Sequence, residues 1–191
     1  VTVDAIHEAT IQVLLADGLG KLTTTRVAQR AGFSVGTLYQ YFPNKEALLF
    51  AILQQHFDES AIAMEAVANN ARQRPLAELA DSIADAYVSV KLAKRDATAA
   101  LYLVAGVLDQ IRLPGEIFRR LDAAVIAVLG RASDASFGDP RSTAFTLLSA
   151  LAGLTRASFG RLAATDEAIG RLPGEARLLA RAYLAAAAKG A

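Results

Sequence analysis

Apolar residues recur every three or four positions along most of the chain, and no sustained stretch alternates strictly between apolar and polar. That period predicts helices rather than strands. Over residues 2–17, Ile6, Ala9, Val13 and Leu14 form one apolar face, and Gly18-Leu19-Gly20 ends the pattern because glycine tolerates a left-handed turn. A short helix after Thr24 turns Val27, Ala28 and Ala31 inward. A tight turn at Gly32-Phe33-Ser34 leads to a third helix over 35–42. Asn44 is placed to cap a long fourth helix carrying Leu48, Leu49, Ile52, Leu53 and Phe57. Further helices are expected near 75–93, 96–109, 114–132, 140–162 and 173–189. The five prolines (Pro43, Pro75, Pro114, Pro140 and Pro173) each stand before a helical pattern, where a missing N–H matters least. Asp139 is the expected cap before Pro140. Loops are expected around 133–138 and 165–174, as the most mobile connections. The fold class is therefore all-α, with a small N-terminal domain over 1–46 and a helical bundle over 47–191.

Composition narrows the function. Alanine, the strongest helix former, supplies about a fifth of the 191 residues. Hydrophobic residues make up 53 % and charged residues 20 %, which excludes disorder as the main state. Net charge is +1, so a general polycation is excluded while a local basic surface is not. With no cysteine and only His7 and His56, there is no disulfide framework or thiolate zinc site, and no metal or cofactor is expected. His7 is expected at the surface, and His56 as a surface or satisfied histidine rather than a ligand contact. The apolar runs at 97–108 and 144–154 are too short for a membrane span. Asp4 and Glu8 stand where a basic leader would be, so a soluble cytoplasmic protein is expected. No catalytic constellation is present either. Gly18-Leu19-Gly20-Lys21 lacks the spacing of a phosphate loop, and Asp81 and Asp85 read as solvated carboxylates.

Two short helices joined by a glycine turn, within the first 45 residues, form a helix-turn-helix plan. Leu38 and Phe42, four apart, can bury against the supporting helices. Thr37, Gln40 and Tyr41 then share the outward face. Gly36 would let backbone approach backbone. The helix N-termini near Thr24 and Ser34 offer N–H groups to phosphates, and Lys45 at the head of the next helix can reach another.

The segment TTTRVAQRAGFSVGTLYQYFPNKEAL, residues 23–48, resembles the DNA-binding signature of the TetR family of bacterial transcriptional regulators. The resemblance implies base or phosphate contacts from Thr25 and Arg26, and a recognition-helix head made of Ser34, Val35, Gly36 and Thr37. It further implies phosphate bonds from the hydroxyls of Tyr39 and Tyr41, and a phosphate-binding role for Lys45. Val35 departs from the family pattern, in which lysine or another polar residue is common. Valine donates no hydrogen bond but suits a thymine methyl. Charge alone would not find this site. In residues 1–50, Lys21, Arg26, Arg30 and Lys45 balance Asp4, Glu8, Asp17 and Glu46.

The resemblance also implies an operator of double-stranded DNA, a small-molecule effector and a homodimer built from the last two long helices. Ser149, Gly153 and Ala157 form a small-residue stripe at spacing four, flanked by Leu147, Leu151 and Leu154. Leu178, Ala182 and Ala185 extend it on the final helix. The middle helices are expected to enclose a mostly apolar cavity walled by Met64, Tyr87, Tyr102, Leu103, Val107 and Phe118, suited to a hydrophobic ligand. The expected function is a repressor released by that ligand. The rival readings are an activator of the same design, and a small-molecule binding bundle or all-α enzyme with a vestigial DNA motif. Convergent acid–base or metal ligands would mark the enzyme, and the sequence offers none.

Overall fold

A computed structural model describes residues 2–108, 115–160 and 166–190, without the side chains of 103–108 and 190. Its helices are α1 (Val3–Asp17), α2 (Thr24–Ala31), α3 (Val35–Tyr41), α4 (Lys45–Asn70), α5 (Leu76–Ala93), α6 (Arg95–Leu108), α7 (Gly115–Leu129), α8 (Pro140–Phe159) and α9 (Asp166–Ala187). The fold is all-α. A 3₁₀ turn at Leu19–Lys21 follows α1, and one two-residue antiparallel pairing joins β1 (Ala135–Ser136) to β2 (Lys189–Gly190).

Local chemistry sets the ends. The hydroxyls of Thr2, Thr23 and Ser34 accept from the backbone N–H groups of Ala5, Arg26 and Thr37, starting α1, α2 and α3. Asn44 Oδ1 accepts from Ala47 N at 2.7 Å and starts α4. Asp139 caps α8 through Ser142 N, with Pro140 at the first helical position. Gly18 at φ +76° and Gly32 at φ +78° end α1 and α2 in a conformation that only glycine adopts cheaply.

The chain divides into two compact units, Val1–His56 with Lys94–Leu113, and Phe57–Ala93 with Pro114–Ala191. Helix α4 contributes to both. In the first unit, α1 packs on α2 and α6, and α2 on α3. This unit is larger than the expected 1–46 domain because α1 covers α6 as well as α2. Its core holds Ile6, Val13, Leu14, Val27, Leu38, Leu48 and Ile52. His7, expected at the surface, is buried. Its ring tilts against Phe42 with centroids 5.7 Å apart, and its Nδ1 donates to Gln55 Oε1 at 2.7 Å. His56 is buried as well.

In the second unit α5, α7, α8 and α9 pack around Leu79, Ile83, Val125, Val128, Leu147, Leu151, Leu172 and Leu184. Asp81 and Asp85 are not simply solvated. Arg181 Nε donates to Asp81 Oδ1 at 2.6 Å, and Arg177 forks onto both oxygens of Asp85 at 2.7 and 2.9 Å, so two pairs clasp α5 to the antiparallel α9. Arg120 of α7 likewise bridges Asp58 and Glu65 of α4.

Two expectations about connections fail. Helix α9 begins at Asp166, so Pro173 lies inside it and 166–174 is helix rather than loop. Asp166 and Glu167 suit the positive end of the helix, and buried Ile169 and Leu172 anchor the turns before the proline. The 133–138 segment is tied down. Asp134 Oδ1 accepts from Leu76 N at 2.8 Å, Ser133 N donates to Arg74 O at 2.9 Å, and Ala135–Ser136 pair with Lys189–Gly190.

Candidate nucleic-acid interface

The first unit gathers three helix heads with their polar residues. Helix α3 buries Leu38 inside, and Phe42 closes behind it as C-cap residue, as the four-residue spacing requires. The opposite face is left to Tyr39, Gln40 and Tyr41. All three are exposed, with 51 % of Tyr39 and 42 % of Tyr41 accessible. Thr37 is half-buried, its hydroxyl 2.8 Å from Ser34 Oγ. The Ser34 oxygen is thus engaged in the cap, and Val35 and Gly36 stand at the tip beside it.

Among the described residues, no backbone from outside its own helix comes within 4 Å of a Cβ at Gly36. A Cβ there would meet only Ser34 Oγ at 3.7 Å, so the expected backbone-to-backbone approach inside the protein is absent. Its open side faces outward instead.

Helix α2 contributes Thr24, Thr25 and Arg26. Thr24 Oγ1 lies 3.2 Å from the Tyr39 hydroxyl, linking the heads of α2 and α3. Thr25 is exposed, and the N-cap of α2 is Thr23. Arg26 donates to Asp17 Oδ2 at 2.6 Å, a pairing invisible in the sequence pattern. Lys45 stands half-buried at the first position of α4. A cation at the positive end of a helix is locally unfavourable, so the fold itself gives this lysine no reason to be there. A phosphate at the same helix head would be held by both.

In the second unit, the expected effector residues separate. Met64 and Tyr87 are buried, and Phe118 keeps 46 % of its surface. Phe57 joins them, its ring tilted at 55° to that of Phe118 with centroids 5.8 Å apart. Tyr102 is half-buried on α6, in the other unit, and the side chains of Leu103 and Val107 lie outside the described residues. Beside Tyr87 stands a group that the sequence reading passed over. Lys91 is fully buried, and burial pushes its amine down to about 7, opposed by the charge of Glu59. Its spacing of four from Tyr87 was the available signal.

Residues 6–52 match the family model for bacterial regulatory proteins of the tetR family, and residues 75–184 match that of the tetracyclin repressor-like C-terminal domain. The chain belongs to the TetR family of DNA-binding transcriptional regulators. Among solved structures, SmeT, the repressor of the Stenotrophomonas maltophilia multidrug efflux pump SmeDEF, is similar at 20 % identity and a TM-score of 0.75, over 99 % of this chain and 91 % of that one. FadR of Bacillus subtilis, in complex with stearoyl-CoA, is similar at 18 % identity and a TM-score of 0.70, over 94 % and 98 %. A TetR-family regulator from Streptomyces coelicolor follows at 24 % identity and 0.64, over 97 % and 98 %. No curated protein matches the chain. No helix among the described residues is long and apolar enough to cross a membrane.

On the TetR helices α8 and α9, exposure sorts the expected interface. Ser149, Gly153 and Ala157 are exposed in one row, as are Leu178, Ala182 and Ala185 on α9. Leu147 and Leu151 are fully buried within this single chain, so they have no surface left for a partner, and Leu154 is half-buried. The helical period explains the difference. Leu147, Leu151, Thr155 and Ser158 share the inner face, while the row at 149, 153 and 157 lies on the other side. Phe145 starts that outer row at the same spacing of four and is 64 % exposed, and the sequence reading missed it.

Proposed function

We propose that this TetR-family chain is a homodimeric, cytoplasmic repressor, released from its operator by a small, mostly hydrophobic effector and performing no catalytic step. The observation that carries the reading is the outward face of α3, where Tyr39, Gln40 and Tyr41 stand exposed beside the heads of α2 and α4. Heads of helices bind phosphates, and an exposed recognition face reads base edges. In the dimer, two such faces read half-sites in successive major grooves, about 34–36 Å apart. With formal charge balanced over residues 1–50, affinity depends on a few placed contacts, and the salt slope should be about −0.9 per neutralised phosphate.

The exposed rows on α8 and α9 support dimerisation. Phe145 and Leu178, 64 % and 63 % exposed, flank small residues that let helices approach closely. The aromatic set of Phe57, Tyr87 and Phe118 supports an apolar effector, and similar structures are SmeT in complex with triclosan and FadR with stearoyl-CoA. Helix α4 contributes to both units and is the natural carrier of the signal. An effector that favours another spacing of the reading heads lowers DNA affinity by its differential binding, for which a coupling of about 1–3 kcal/mol suffices.

Selection of bound fragments from genomic DNA supplies the operator. Tyr41→Ala and Lys45→Ala should each weaken its binding at physiological salt without unfolding the protein. Unchanged gel shifts for both variants would refute the assigned docking face.

A further inference from the structure

Inside the second unit, Lys91 Nζ donates to Ser60 Oγ at 2.8 Å, a buried amine in a place that a methionine could fill at less cost. What the packing leaves without a reason lies outside, on α8 and α9. Gly153 and Gly174 stand exposed in the interior of these helices. Neither has a positive φ, and a Cβ on either would meet nothing within 4 Å. Glycine weakens a helix interior, and alanine would fit both positions freely. No close approach among the described residues therefore calls for these glycines. On the same two helices stand Phe145 and Leu178, 64 % and 63 % exposed, the most exposed large apolar side chains among the described residues.

The four residues are ordered by height. Ala135, just ahead of α8, pairs with Gly190, just behind α9, and at the other end only residues 160–165 separate Phe159 from Asp166. The two helices therefore run antiparallel, with Ser149 about level with Ala176. On α8, Phe145 and Gly153 lie four residues either side of Ser149, and on α9, Leu178 and Gly174 lie two residues either side of Ala176. Both bulky residues fall on one side of that level and both glycines on the other.

A two-fold axis through this level turns the patch end for end. Phe145 then comes to the height of the partner's Gly153, and Leu178 to that of the partner's Gly174. We propose that two copies of this chain pair in this register, with Phe145 seated in the notch at the partner's Gly153 and Leu178 against the partner's Gly174. The inference rests on the homodimer reading above and gives it an axis and a selectivity. The glycines are kept bare for the neighbouring chain. A related regulator with a side chain at either position would clash, so the pairing favours a second copy of this chain.

The chain has no cysteine, so introduced cysteines report the axis directly. In an equimolar mixture, chains carrying Phe145→Cys and chains carrying Gly153→Cys should cross-link to each other on oxidation. Neither should cross-link alone, because the two copies of one position stand about 12 Å apart along the paired helices, beyond the roughly 7 Å reach of a disulfide. Sedimentation equilibrium of the full chain gives the dissociation constant. Gly153→Leu adds apolar surface, yet it should weaken the dimer about tenfold or more with helical circular dichroism unchanged. Adding Phe145→Ala to that variant should tighten the dimer again, because the clash leaves with the ring. A Phe145→Cys chain that cross-links to itself, a mixture that yields no cross-link, or a Gly153→Leu chain that pairs as tightly as wild type would each overturn the register. Wild type sedimenting as a monomer at micromolar concentration removes the homodimer as well. A wild-type dimer that fails the cross-link or the Gly153→Leu test removes this pairing alone.

Discussion

The Asp17–Arg26 pair gives a sharp prediction, because two of its consequences have opposite character. Arg26 stands at the head of α2, in the family's DNA-contacting stretch, and its Nη1 lies 2.6 Å from Asp17 Oδ2 with side-chain exposures of 46 % and 35 %. Exposed pairs of this kind are worth about 0.2–1 kcal/mol. Asp17 is also the last residue of α1, where a negative charge opposes the helix dipole by a comparable amount, roughly 0.3–1 kcal/mol. Asp17→Asn loses one term and relieves the other, so the unfolding free energy should hardly move.

DNA binding should respond differently. A phosphate that takes Arg26 must first break the pair, so wild-type binding is weaker by the pair's worth. Freed of it, each protomer should bind tighter by about 1.4- to 5-fold. The assay is fluorescence anisotropy on an operator fragment at fixed salt, with Asp17→Asn, Arg26→Gln and the double variant. The gain should vanish in the Arg26→Gln background, whose salt slope should fall by about 0.9 for each bound protomer. A gain that survives there would come from general charge repulsion, and weaker binding by Asp17→Asn would mean that the carboxylate orients the arginine. Either result refutes the competition argument.

Gly32→Ala should cost about 1–2 kcal/mol of stability in urea titration, from backbone strain alone, since nothing lies within 4 Å of its Cβ position. Gly36→Ala should leave stability within about 0.5 kcal/mol yet weaken operator binding, because its Cβ fits the protein and projects where DNA is expected. Leu178→Glu should yield a monomer in sedimentation at micromolar concentration, whereas a dimer there would remove the exposed rows from the interface. Lys91 predicts a pH effect of definite sign. Its amine is charged in both states below about 7, neutral only in the folded state above that, and uncharged in both above the ordinary lysine value of 10.5. The folded chain therefore binds fewer protons in that window, and stability gains about 1.4 kcal/mol per pH unit across it. The advantage of Lys91→Met over wild type should be greatest below pH 7 and shrink by pH 10, and a constant difference would contradict a buried charged amine.

Much of the first unit was legible because its signals are local. Gly32, the caps at Ser34 and Asn44 and the four-residue step from Leu38 to Phe42 depend on neighbours a turn away. Failures came where a distant partner decides. Pro173 reads as a helix start until the buried Ile169 and Leu172 behind it are counted. The 133–138 segment looks loose because its anchors, Leu76 and Lys189–Gly190, are far along the chain. Leu147 and Leu151 match an interface stripe as well as a core, and only the packing of α7 and α9 fixes which face is inside. His7 and Lys91 went the same way, since polar residues on helices are normally exposed and their burial depends on long-range contacts with Gln55 and Ser60.

The paired forks between α5 and α9 also restrict how this unit can move. Asp81 meets Arg181 and Asp85 meets Arg177, so a slip of one turn in either direction keeps a single match and strands two opposite charges. Those four side chains therefore act as a ratchet tooth with one stable notch. Any rearrangement that a bound molecule provokes should pivot or bend these two helices together, not shift one lengthwise past the other.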